Sequence, residues 1–128
     1  MGHVVIKPVP GIDEYVYWST VVEAPIAWGS RAEMLDDLTV EWRQDHGPDV
    51  PPAGLSAPEK RLERADEYGS SALDGFFRWD DGSLIYEQRG LLARVDLYRA
   101  AVLLGEEREA DVWDLLTPFE GETEVRRG

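Results

Sequence analysis

The chain has no cysteine. Disulfide frameworks, thiolate metal sites and cysteine nucleophiles are therefore excluded. It has only two histidines, His3 and His46. No apolar run approaches the length of a membrane span. The opening residues, Met1 to Ile6, are too short for a signal h-region and lack a charged n-region. Ile6 stands where a myristoylation pattern wants Ser or Thr. The expectation is a cytoplasmic protein with no membrane partner. Recognisable catalytic motifs are missing too. Gly69-Ser70-Ser71 is not followed by Gly-Lys-Ser/Thr. There is no Gly-x-Ser-x-Gly elbow and no His-Glu-x-x-His. Asp80-Asp81-Gly82 lacks the alternating oxygens and distal glutamate of a calcium loop. No catalytic residue, metal site or cofactor is expected.

Acid is what the chain has in surplus. Its 128 residues carry 26 Asp and Glu against 13 Lys and Arg, a net charge of -13. Such a chain repels a polyanion, so direct nucleic-acid binding is not expected. The acidity either keeps the protein in solution or offers a face to a basic partner. At 43% hydrophobic residues, the length fits one domain with its own core.

The pattern along the chain is α+β, with one small antiparallel sheet and about four helices. Strands are expected near 3–7, 13–23, 75–79 and 83–88, and helices near 31–45, 57–68, 91–104 and 108–117. Tyr15 to Val22 is dense in aromatic and β-branched residues on both faces, as in a central strand. Pro25 to Gly29 reads as a connection. Ser30-Arg31-Ala32-Glu33 reads as a capping box, and Ser56-Ala57-Pro58-Glu59 as a second one. Met34, Leu35, Leu38 and Trp42 form an apolar stripe. Residues 47–57 form a loop rich in proline and glycine, and Gly69 reads as a helix-ending glycine. Asp80-Asp81-Gly82-Ser83 reads as a hairpin turn between Phe76–Trp79 and Leu84–Glu87. The tail after Phe119 is polar and expected to fray.

The candidate partner-binding residues are Trp28, Asp36, Asp37, Glu41 and Asp45. The four acids sit on the first helix, away from its apolar stripe. Trp28 is singled out because the other tryptophans, Trp18, Trp42, Trp79 and Trp113, lie in strand or helix patterns that suit core packing. His46 has an ordinary place at a helix C-terminus, where its charged form suits the dipole.

Three stretches carry a resemblance: Tyr15 to Pro25 (YVYWSTVVEAP), Ser30 to Met34 (SRAEM) and Arg61 to Ala72 (RLERADEYGSSA). They resemble small uncharacterised proteins of actinobacterial bacteriophages, with Ser70 standing where that pattern has threonine. The likeness covers roughly residues 13–72. It implies a phage accessory protein in the host cytoplasm and names no active site. The leading expectation is a non-enzymatic protein that binds a host protein, basic in character, through an acidic and aromatic surface. A DNA mimic, a self-associating virion component and a small enzyme with an unrecognised carboxylate site are the rivals.

Overall fold

The computed structural model describes residues 2–126. It is an α+β fold in which the single expected sheet is two separate three-stranded antiparallel sheets. The first holds β1 (His3–Ile6), β2 (Tyr15–Ser19) and β3 (Ala24–Gly29), with β2 in the centre. Two helices follow, α1 (Arg31–His46) and α2 (Pro58–Tyr68). The second sheet is β4 (Ser83–Tyr86), β5 (Gly90–Ala93) and β6 (Leu116–Thr117). Between β5 and β6 lie a 3-10 turn (Arg94–Asp96), α3 (Leu97–Gly105) and α4 (Glu109–Trp113).

All of β2 is buried, as its two bulky faces predict. Side chains alternate across a strand. Val16 and Trp18 therefore enter one core with Leu84, Tyr86 and Leu92 of the second sheet, Leu97 and Ala101 of α3, and Val112 of α4. Tyr15 and Tyr17 enter another with Met34 and Leu38 of α1 and Leu62 and Ala65 of α2. The first sheet is thus a shared wall between two layers.

Several local features match their sequence signals. Ser30 Oγ accepts from Glu33 N–H, Glu33 Oε1 accepts from Ser30 N–H, and the capping box of α1 is complete. Asp13 Oδ1 satisfies Arg31 N–H at 2.7 Å. Gly69 ends α2 in the left-handed conformation (φ 90°), its N–H donating to Ala65 O. His46 lies in the last turn of α1 and stacks on Trp42 with ring centroids 3.7 Å apart.

Other expectations are corrected. The strand near 13–23 stops at Ser19, because Ser19 Oγ accepts from Val21 and Val22 N–H and closes a turn. The chain reverses through Glu23 (φ 59°). Pro25–Gly29 is then a strand, not a connection. Pro25 is tolerated at its edge because Ile26 forms a bulge, with Tyr17 facing Ala27 and Trp18 facing Pro25. Residues 75–79 are not a strand. Phe77 has φ 65°, and its N–H donates to Asp81 Oδ2, so the Asp-Asp-Gly segment closes a loop and joins no hairpin. The hairpin comes one step later, β4 to β5, through Glu87 and Gln88 (φ 45° and 60°).

The helix expected over 91–104 begins only at Leu97, its first six residues belonging to β5 and the 3-10 turn. The helix over 108–117 shrinks to five residues before β6. The second capping box does not form: Ala57 is the cap, without a side-chain bond, and Pro58 opens the helix. Trp113 is half-buried and packs against the first core as expected, whereas Trp79 is half-buried outside both cores. The tail is anchored as far as it is described. Arg126 N–H donates to Arg89 O, and Val125 packs on the first core. Arg127 and Gly128 lie outside the described residues.

Candidate functional site

The five singled-out residues do not gather on one surface. A helix turns about 100° per residue, so Asp36 and Asp45, nine positions apart, lie on opposite sides of α1. Glu41 is occupied internally. It accepts from Tyr17 Oη at 2.7 Å and lies 3.5 Å from Arg61. Asp36, Asp37 and Asp45 are exposed. Trp28 is in β3 opposite Val16 and lies against Gly105 at the end of α3. A Cβ at position 105 would sit 2.1 Å from Trp28 Cη2, so glycine is what lets the indole lie there. Trp28 still exposes about a third of its surface, 36%.

Asp36 opens onto a concave surface. A groove of about 430 Å³ runs between α1, the 47–57 loop and the start of α2. It is lined by Leu35, Asp36 and Thr39 of α1, Pro52, Ala53 and Gly54 of the loop, and Glu59 and Lys60 of α2. The loop has little regular structure yet is pinned at several points. Trp42 Nε1 donates to Val50 O, Arg64 Nη1 to Leu55 O at 2.7 Å, and Ala57 N–H to Gly54 O. Val40, Val50 and Leu55, exposed elsewhere on α1 and the loop, add apolar surface.

Its charges are uneven. Lys60 pairs with Glu63 at 3.3 Å, and Glu59 with Arg31 at 3.5 Å. The Asp36 carboxylate makes no ion pair or hydrogen bond among the described residues. An apolar groove with a free carboxylate at its rim can seat an aliphatic side chain and hold a cation beside it.

Several buried polar groups elsewhere cross-link the fold, while Tyr86 Oη and Trp113 Nε1 are buried without a hydrogen-bond partner among the described residues. Tyr15 Oη donates to Asp66, which also pairs with Arg31 at 2.9 Å and Lys7 at 3.7 Å. Burial, then the bonds to Asp66 and Glu41, push the phenols of Tyr15 and Tyr17 up, Tyr17 to about 12. Both stay neutral donors at ordinary pH.

Arg94 gave no sequence signal. It is buried at 4% exposure, and burial lowers its pKa. Its guanidinium donates to five carbonyls: Lys7, Pro8, Gly69, Phe77 and Arg78. The fork has five N–H groups, so none is left for a ligand. The Trp79 ring lies 5.2 Å from it. Among the described residues no group of three His, Asp or Glu could hold a metal ion.

Comparison with protein-family models, with curated proteins and with solved structures found no match.

Proposed function

We propose that this chain is a non-enzymatic protein-binding protein, a bacteriophage accessory product that acts in the host cytoplasm on a basic host protein. The groove beside Asp36 carries this reading. It is apolar along its walls, proline-bearing on one side and acidic at its rim. The occupant it suits is a protein segment with an aliphatic anchor next to a Lys or Arg. The anchor enters between Leu35 and Ala53, and the cation meets Asp36. The net charge of -13 adds long-range attraction, which speeds encounter with a basic partner. The resemblance over residues 13–72 points to the same class of protein.

The test is capture from an actinobacterial lysate at low and high salt, with the wild-type chain beside Asp36→Arg and Ala53→Arg. Both substitutions sit on the groove, and neither touches the core. A host protein retained by the wild type and lost with both variants supports the reading, and salt should weaken that retention. A protein retained equally by all three chains, or none retained at either salt, ends it.

A further inference from the structure

The open edge of β4 carries a second inference, independent of the groove. β4 is the outer strand of its sheet. Arg89 N–H donates to Tyr86 O at 2.8 Å and Arg94 N–H to Gly82 O at 2.9 Å, so the even-numbered residues aim their backbone groups at β5. Alternation turns the groups of Ser83, Ile85 and Glu87 outward. Glu87 N–H is met there, donating to Glu23 O at 3.0 Å. The outward ladder stops after that one bond. Beyond the β4–β5 pairing, Ser83 and Ile85 make no backbone hydrogen bond among the described residues.

A cleft of about 340 Å³ lies along this edge, where the two sheets fail to join. Trp18, Phe77, Leu84 and Ile85 give it an apolar lining, and its charged residues, Glu23 and Asp81, are both acidic. Ile85 is 41% exposed beside it. Natural edge strands are commonly guarded by lysine, proline or a covering loop. Here the loop cover ends at Glu23, and an isoleucine stands in the gap.

We propose that the β4 edge and its cleft bind an extended, cationic segment of another protein by strand addition, continuing the ladder that Glu87 and Glu23 begin. Backbone pairing along Ser83–Ile85 supplies the register, an alternate apolar side chain enters beside Trp18 and Phe77, and a Lys or Arg meets Glu23 and Asp81. A second copy of this chain is the poorer occupant. Two chains of net charge -13 would meet with their carboxylates facing.

The probe is a short acetylated and amidated peptide of alternating Lys and Val, with two controls. One is N-methylated at every lysine and valine and can donate no main-chain hydrogen bond along either edge; the other replaces Lys with Glu. Amide chemical shifts and exchange rates of the full chain report the site. The Lys-Val peptide should move the Ser83 and Ile85 amides and slow exchange at Ile85. N-methylation should weaken binding by at least about tenfold, as loss of main-chain pairing implies. The acidic peptide should not bind. Ile85→Lys, at an exposed position that tolerates charge, should abolish the response while the amide spectrum stays folded. Equal binding by the N-methylated peptide, shifts confined to Leu35 and Ala53, no binding by the Lys-Val peptide, or a dimer formed through β4 would each overturn the proposal. Because the readout separates β4 from the α1–α2 groove, the two surfaces fail or stand separately.

Discussion

The two faces of β2 hold the molecule together by different means. Toward α3 and the second sheet, Val16 and Trp18 sit in an apolar core. Toward α1 and α2, Tyr15 and Tyr17 bury their rings and extend their hydroxyls to Asp66 and Glu41, where Arg31, Lys7 and Arg61 gather. The apolar face gains from area removed from water and tolerates no gap. The tyrosine face gains less from each bond, but its bonds fix how the helices lie on the sheet. Strength is expected on the first side and orientation on the second.

Trp18→Ala tests the apolar side and should have the largest effect, a loss of about 3–5 kcal/mol in urea unfolding. Arg94→Met, just after β5, should follow. Leaving several buried carbonyls without their donor should cost on the order of 3 kcal/mol by the same measurement. Tyr17→Phe should be milder, with a loss of about 1–2 kcal/mol for a hydrogen bond to a carboxylate.

The tyrosine variant also sharpens the comparison through pH. The folded chain holds the Tyr17 proton up to about 12, whereas the ordinary phenol releases it near 10. Its contribution is whole below pH 10 and is lost as pH rises from there toward 12. Urea midpoints should therefore fall across that window, and the fall should shrink in Tyr17→Phe. Ser30→Ala should have the smallest effect, about 1 kcal/mol from the α1 cap. If Tyr17→Phe proved more damaging than Trp18→Ala, the division of labour between the faces would be wrong.

Features set by neighbours in sequence were legible. The double-sided bulk of Tyr15–Trp18, the Ser30–Glu33 box, the Gly69 ending and the Met34–Leu38–Trp42 stripe all form as read. Features set by distant partners were not. Leu91–Leu104 is apolar nearly all round, and such a run does not separate a buried strand from a buried helix. Leu91 and Leu92 became strand because Thr117 and Leu116 pair with them. Thr20-Val21-Val22 has strand composition, yet one hydroxyl at Ser19 turns the chain there. Arg94 bonds residues 16 to 87 positions away, which no local pattern announces. Of the site, Asp36 and the 47–57 loop stood out in the sequence. Their convergence with Leu35 and Glu59 did not, because it depends on how α2 returns beside α1.

The bonding of Arg94 also governs how the chain could be divided. Every carbonyl it holds belongs to a residue numbered 78 or lower. A cut in the exposed Asp80–Gly82 stretch would leave the guanidinium on one fragment and all five acceptors on the other. The apolar core is built across the same cut, with Trp18 on one piece and Leu92 and Leu97 on the other. The two pieces should therefore reassociate without a covalent link, Arg94 acting as the plug and the five carbonyls as its socket.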